Sequence, residues 1–142
     1  MYAIIVGAGR VGTAIARWLL DAEQEITVID RDPERFAAIE DELGSVAVRG
    51  DATESQVLWQ AGASRADVLI ATGRRDDENL VICQMAANLF GVGRVLSIVS
   101  ISEHVELFNR LGVSESIDMT AILVDAIEER LGGLLVDDVG GS

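Results

Sequence analysis

Residues 7–12 are Gly-Ala-Gly-Arg-Val-Gly, and they directly follow an apolar run at Ala3–Val6. Such a run is typical of a strand buried on both faces of a parallel sheet. After Val11 the apolar residues fall at helical spacing, so the glycines lie between a strand and a helix. In that context they permit a tight turn, a close approach of the backbone to a pyrophosphate and close packing of the helix. The segment therefore predicts a phosphate site at the amino end of the helix.

The same alternation of short apolar runs and helical periods continues along the chain. Strands are predicted at Ala3–Val6, Ile26–Ile29, Val46–Val48, Asp67–Ala71, Val95–Val99 and Ser116–Asp118. Strands that alternate with helices predict an α/β fold with a doubly wound parallel sheet. Right-handed crossovers favour a six-stranded Rossmann sheet in the order 3-2-1-4-5-6, with helices on both faces.

Capping residues indicate where several helices begin. Asp32 is expected to cap a helix that has Pro33 at its first position. Thr53 and Gln56 match a capping box in front of a short helix. Asp77 is expected to cap the long helix that follows the fourth strand.

The last amphipathic helix is predicted over residues 120–131 and is expected to stop at Gly132-Gly133. Its apolar stripe is too broad for one small contact. The predicted nucleotide-binding domain therefore covers residues 1–133. Residues 134–142 are interpreted as a tail or as the start of a linker.

The second strand leads into Asp30, 18 positions after Gly12, where a carboxylate is expected to accept hydrogen bonds from ribose hydroxyls. Hydrogen bonds to an ionised carboxylate contribute about 1.5–3 kcal/mol each. The same charge repels a 2′-phosphate, so NADP is predicted to bind less well than NAD. The alternative is a glycine turn with an acid at the surface.

Two further strand ends are expected at the same edge of the sheet. The turn at residues 50–53 is predicted to lie on the adenine side, or to serve only as a turn with Thr53 as a cap. Asn79 is either a ligand contact or a structural residue. The predicted ligand residues are Gly7, Ala8, Gly9, Arg10, Val11, Gly12, Asp30, Arg31, Asp51, Ala52, Thr53, Ala71, Thr72, Gly73 and Asn79.

The charge of the chain argues against two classes of partner. It has 24 acidic and 11 basic residues, a net charge of −13, and all the basic residues are arginine. Such a chain is repelled by nucleic-acid phosphates and by anionic membranes.

Cys83, the single cysteine, fits a reducing cytoplasm and is predicted to be a buried hydrophobe. His104, the single histidine, is predicted at the surface, and the two together cannot supply a tetrahedral metal site.

Several segments together resemble one family, the RCK/KTN type of nucleotide-binding domain, also called TrkA-N, of potassium transport and channel regulators. The resemblance runs from Tyr2 to about Leu131 and includes the turn at residues 50–53 and the segment 72–79. It is carried by the sequences GAGRVG, VIDRDPERF and HVELFNRLGV. The chain departs from the family pattern at Ile98, Ser100 and Met119, where an arginine, an asparagine and a proline are common.

The resemblance implies a cytoplasmic regulator held at the inner face of the membrane by a transporter or channel subunit for potassium. It implies binding of NAD(H) or of an adenine nucleotide (ATP, ADP or AMP), and assembly into dimers or larger rings. Arg10 matches a position that can reach phosphates, including those in a neighbouring subunit, although it can also be an exposed arginine at a helix start. The last helix is expected to cross to a second subunit rather than to fold back on its own sheet.

The alternative to a sensor is the coenzyme domain of an NAD-dependent dehydrogenase. A dehydrogenase needs a proton-transfer group beside the nicotinamide. The chain has almost no residues beyond the predicted Rossmann core, it has no lysine, and its one histidine is not placed for this role. A regulatory role without catalysis is therefore favoured.

Overall fold

Six parallel strands form a single sheet in the order β3-β2-β1-β4-β5-β6, which confirms the predicted topology. The structure, a computed structural model, describes the backbone of residues 1–140 and the side chains of residues 1–135. The strands are β1 (Tyr2–Val6), β2 (Glu25–Asp30), β3 (Ala47–Arg49), β4 (Val68–Ala71), β5 (Arg94–Val99) and β6 (Glu115–Asp118).

The central strand, β1, determines where the functional edge of the sheet lies. All five of its residues are buried, as expected for a strand covered by helices on both faces. Val6 is in register with Ile29 of β2 and with Ala71 of β4. The loops after these three strands therefore begin side by side. The chain order reverses between β1 and β4, which is where open α/β sheets bind ligands.

Helices cover both faces of the sheet and enclose two separate apolar cores. The helices are α1 (Arg10–Asp21), α2 (Pro33–Leu43), α3 (Ser55–Gln60), α4 (Asp76–Asn88), α5 (Val105–Arg110) and α6 (Met119–Gly140), with two short 3-10 turns at Ala63–Arg65 and Ser102–His104. One core packs Leu58, Cys83 and Phe108 against the sheet. The other packs Ala16 and Ile39 against its opposite face.

The capping predictions have mixed outcomes. Asp32 caps α2 as predicted, because its Oδ1 accepts a hydrogen bond from the backbone of Glu34 at 2.9 Å. The capping box at Thr53 is wrong, because α3 begins only at Ser55 and the Thr53 hydroxyl donates instead to Asp51. Asp77 is not a cap either: α4 starts one residue earlier, and the Asp77 carboxylate pairs with Arg75.

The prediction that Gly132-Gly133 ends the last helix is wrong, because α6 continues to Gly140. A glycine in a helix interior costs about 1 kcal/mol relative to alanine. The leucines on both sides are good helix formers and keep the helix continuous through the two glycines. Of the predicted tail, residues 141–142 lie outside the described residues.

Helix α6 leaves most of its apolar side chains uncovered. It has its main contacts with β5 and with the 3-10 turn at Ser102–His104. Seven of its apolar residues are 44–64% exposed: Ile122, Leu123, Val124, Ile127, Leu131, Leu134 and Leu135. Within the described part of the chain, no helix is long and apolar enough to cross a membrane.

Candidate functional site

A cleft runs across the carboxyl edge of the sheet at the point where the strand order reverses. It consists of a larger pocket of about 810 Å³ and a smaller pocket of about 150 Å³. The two adjoin, because Gly7, Arg35, Gly73 and Arg74 line both of them. The glycine-rich segment lines the larger pocket, and the ends of β2 and β3 line the smaller one. The cleft thus brings together most of the predicted ligand residues.

The three glycines of the segment have different structural roles. Gly7 has a φ of +106°, and a Cβ there would lie 2.6 Å from the Thr72 hydroxyl. A Cβ on Gly12 would lie 1.8 Å from the carbonyl oxygen of Gly7, so only glycine lets α1 pack this closely. A Cβ on Gly9 would meet no atom within 4 Å. Packing within the protein therefore does not explain a glycine at this position, which lines the larger pocket.

Asp30, the last residue of β2, is held firmly beside the glycine-rich segment. Its side chain is 8% exposed. Oδ2 accepts a hydrogen bond from the backbone N–H of Ala8 at 2.8 Å, and Oδ1 accepts one from Asp32 at 2.8 Å. The Arg35 guanidinium lies 3.9 Å from Oδ2. An ionised carboxylate has about four lone-pair sites, so two remain for hydroxyl donors in the pocket.

The smaller pocket is lined by Asp51 and Ala52 from the turn after β3. The hydrogen bonds that Asp51 accepts from the Thr53 hydroxyl and backbone lower the pKa of its carboxyl, and the Arg31 charge adds to this effect. Arg31 extends across the mouth of the pocket, with Nη1 3.5 Å from Asp51 and 3.5 Å from Glu78. Glu78 was not predicted from the sequence, because its part in the pocket depends on how α4 packs beside β4.

Asn79 fixes the loop that follows β4. It is 1% exposed. Its Oδ1 accepts a hydrogen bond from the backbone of Gly73 at 3.1 Å, and its Nδ2 donates to the Gly73 carbonyl at 2.9 Å. Thr72 is held in a similar way, since its hydroxyl donates to the carbonyl of Val6 at 2.8 Å. Two other predicted residues, Thr53 and Ala71, line neither pocket; Ala71 is fully buried in the core.

Four arginines surround the larger pocket although the chain as a whole is strongly acidic. They are Arg10, Arg17, Arg35 and Arg74. Arg10 is exposed at the first residue of α1, and Arg17 pairs with Glu42 at 2.6 Å. Of these four, only Arg10 was predicted from the sequence. Arg17 lies seven residues later on α1, about two helical turns, and this spacing is the one signal that places it on the same side of the helix.

The positions where the chain departs from the family pattern also reach the larger pocket. Ile98, Ser100 and Met119 line it together. Isoleucine and methionine make this end of the pocket more apolar than the end near the arginines. The cleft therefore combines a region rich in arginine with an apolar wall.

The hydrogen-bonded pair of Asp76 and His104 was not predicted from the sequence. Asp76 is 6% exposed, and its carboxylate accepts a hydrogen bond from Nδ1 of His104 at 2.8 Å. Burial raises the pKa of Asp76, but hydrogen bonds from the Ser100 backbone, His104 and the Ile101 backbone outweigh it and hold the pKa below the usual value. The His104 side chain is 40% exposed, so the prediction of a surface histidine is correct only in part.

Cys83 is a buried hydrophobe, as predicted. It is fully inaccessible, and burial raises the pKa of its thiol to about 12. Among the described residues, no group of three or more His, Cys, Asp or Glu side chains is arranged to hold a metal ion.

Comparison with known proteins gives the family of this chain. The model of the TrkA-N domain matches residues 3–119. The Trk system potassium uptake protein TrkA homolog of Pyrococcus abyssi is 38% identical over 89 residues, which cover 63% of this chain. The same match spans 39% of that relative, so the chain is similar to less than half of its length.

Two solved structures of GsuK have the same fold. GsuK bound to ADP is 26% identical with a TM-score of 0.78, and the match covers 92% of this chain and 33% of that one. The GsuK channel bound to NAD is 22% identical with a TM-score of 0.77, and the match covers 86% of this chain and 22% of that one. The family model covers well over half of the sequence, so the resemblance inferred from the motifs is confirmed, and the chain belongs to the TrkA-N domain family.

Proposed function

We propose that this chain is the nucleotide-sensing domain of a regulator of a membrane potassium transporter or channel, located on the cytoplasmic side of the membrane. The observation that carries the proposal is that the Asp30 carboxylate lies beside the glycine-rich segment, in which the backbone at Gly9 faces open space. A buried, oriented carboxylate lies beside a backbone that leaves room for a ligand at the start of α1. The similarity to a potassium uptake protein supports the transporter, and the similarity to GsuK bound to ADP supports the ligand.

The residues present fit NAD(H) or an adenine nucleotide. The first N–H groups of α1 would hold the phosphates, because they lack partners within the helix and lie at its positive end. Asp30 would accept hydrogen bonds from the adenosine ribose. Ala52 would contact adenine in the smaller pocket, and Arg31 would lie at its mouth. The larger pocket would take either the second half of a dinucleotide or the terminal phosphates of a nucleotide.

We propose a role without catalysis. Histidine and cysteine are side chains that enzymes often use for proton transfer and for nucleophilic attack. Here His104 and Cys83 line neither pocket, and Cys83 is held as a neutral thiol by burial. The sensor reading therefore accounts for the site better than the coenzyme domain of a dehydrogenase.

A calorimetric titration of the full chain with the five ligands NAD, NADH, ATP, ADP and AMP, and with NADP for comparison, tests the ligand proposal. We expect saturable binding of at least one of them, and we expect NADP to bind at least tenfold more weakly than NAD because its 2′-phosphate approaches Asp30. Absence of binding by all five would overturn the sensor. Equal affinity for NAD and NADP would overturn the ribose role of Asp30. Steady oxidation of NADH in the presence of keto acids would point to the dehydrogenase.

We propose further that a second copy of the chain covers the exposed apolar side of α6. A contiguous apolar surface of this kind is typical of an interface. We expect the full chain to sediment as a dimer or larger, and the double change Ile127→Glu with Leu131→Glu to yield monomers. Trp18→Glu is the matched control, since Trp18 is 67% exposed on α1 and its replacement is expected to leave the dimer intact. A double variant that sediments like the parent would contradict this role of α6.

A further inference from the structure

Asp76 joins two segments that are distant in sequence. It is the first residue of α4, and its carboxylate is almost fully buried. Oδ1 accepts a hydrogen bond from the backbone of Ser100 at 2.9 Å. Oδ2 accepts one from the backbone of Ile101 at 3.1 Å and another from Nδ1 of His104 at 2.8 Å. One side chain thereby joins the start of α4 to both ends of the segment between β5 and α5.

Both partners of this connection border the larger pocket. Asp76 directly follows Gly73, Arg74 and Arg75, which line the cleft. Ser100 lines the larger pocket from the other side. A displacement of the rim at residues 73–75 that moves Asp76 must therefore carry the Ser100 segment with it or break hydrogen bonds to a buried carboxylate. Breaking them is unfavourable, because a buried charge without donors loses its solvation without compensation.

The same segment is tied to the first turn of α6. The Thr120 hydroxyl donates a hydrogen bond to the carbonyl of Ser100 at 2.7 Å. The Ser102 hydroxyl donates to Oδ1 of Asp118 at 3.1 Å, and this oxygen also accepts a hydrogen bond from the backbone of Ala121 at 2.9 Å. Hydrogen bonds therefore connect the rim of the pocket, through Asp76 and the segment 100–102, to the start of α6.

We propose that Asp76 is a positioning residue that couples occupation of the larger pocket to the first turn of α6. This inference rests on the proposed function, because it requires a nucleotide in the cleft. A ligand that contacts the loop at residues 73–75 or Ser100 changes the relative stability of two arrangements of this segment, and α6 follows the segment. Coupling of this kind is a free energy between two sites, so it is measurable at either one.

Hydrogen exchange followed by mass spectrometry on the full chain tests the coupling, with saturating ADP and, separately, saturating NAD as probes. In the parent protein we expect ligand to slow exchange at residues 7–13, at residues 100–104 and at residues 121–124. The amide of Ala121 donates to the capping Asp118 carboxylate, and residues 122–124 make the first intrahelical hydrogen bonds of α6, so exchange at residues 121–124 reports whether its first turn is formed. Slowed exchange at residues 7–13 alone would overturn the coupling while leaving nucleotide binding intact.

The decisive variant is Asp76→Asn, which keeps the size of the side chain but removes its charge and one acceptor oxygen. We expect ligand to protect residues 7–13 in this variant as in the parent, and the protection at residues 121–124 to fall at least fivefold. His104→Asn is the conservative comparison, because its amide N–H replaces Nδ1 as donor, and it is expected to behave like the parent. Undiminished protection of α6 in Asp76→Asn would overturn the proposal.

A pair of changes at Thr120 keeps the test valid if Asp76→Asn does not fold. Thr120 is exposed, so neither change is expected to unfold the chain. Thr120→Val removes the hydroxyl that donates to Ser100, and we expect ligand protection to persist at residues 100–104 but to fall at residues 121–124, where only the connection through Ser102 and Asp118 remains. Thr120→Ser retains the hydroxyl and should behave like the parent. Equal protection of α6 in the valine and serine variants would overturn the coupling. Failure of the parent protein to bind any nucleotide in calorimetry would instead overturn the proposed function, on which the coupling rests.

Discussion

Gly12→Ala is expected to lower the free energy of unfolding by about 3 kcal/mol or more, and to leave little folded protein. The added methyl carbon would lie 1.8 Å from the carbonyl oxygen of Gly7 and 2.9 Å from the Thr72 hydroxyl. The first contact is with backbone, which has no alternative rotamer, so relief requires α1 to separate from the loop after β1. Urea denaturation followed by circular dichroism measures the effect.

Gly9→Ala is the matched comparison, with the opposite result. Its φ of −75° suits alanine, and the methyl group would meet no protein atom, so we expect stability to change by less than about 0.5 kcal/mol. The same methyl group enters the space that the phosphates would occupy. We expect nucleotide affinity to fall on the order of 100-fold, equivalent to about 2.7 kcal/mol. Stable Gly12→Ala protein, or Gly9→Ala protein with parental affinity, would contradict this division of roles.

Asp30→Asn is expected to weaken the binding of NAD, ADP and AMP alike by at least 100-fold. Hydrogen bonds to an ionised carboxylate contribute about 1.5–3 kcal/mol each, and the ribose offers two hydroxyls. The amide group of asparagine also places a donor where Asp30 accepts hydrogen bonds from Ala8 and Asp32. All three ligands share the adenosine ribose, so their affinities should fall together.

Asp32→Asn is the control, because Asp32 lies two residues away and caps α2 without lining either pocket. Asparagine is also a good cap, so we expect stability to change by less than about 1 kcal/mol and affinity to be unchanged. Calorimetry with AMP gives the cleanest comparison, since AMP has a single ribose. Equal affinities of the Asp30 and Asp32 variants would exclude the ribose role.

The sheet was predictable because its signals are local. Each strand is a short apolar run, and each crossover has few alternatives, so the order of six strands follows from the pattern alone. Helix ends were less predictable. Gly132-Gly133 resembles a stop signal, yet the helix-forming residues after it prolong α6. Thr53 resembles a cap, yet its hydroxyl donates a hydrogen bond to the Asp51 carboxylate, and α3 begins only at Ser55.

The site was predictable where residues adjoin a strand end and was not where distant segments meet. Asp30 follows from its place after β2, and its orientation is set by Ala8 in the adjacent loop. Asp76 and Asp77 are neighbouring acids, and the sequence does not tell which one is buried. Successive residues on a helix differ by about 100° in direction, so only the packing of α4 against the Ser100 segment makes Asp76 the buried one.

The hydrogen bond from Ala8 to Asp30 has a consequence for how fast the proposed nucleotide site would fill. Together with the hydrogen bond from the Thr72 hydroxyl to the Val6 carbonyl, it holds the glycine-rich loop through groups of the protein itself. A preorganised loop lowers the entropy lost on association, so binding needs no slow rearrangement there. Association rates then depend mainly on diffusion and orientation, typically about 10⁵–10⁷ M⁻¹s⁻¹. A rise in nucleotide concentration would then fill such a site without a delay in which the loop orders.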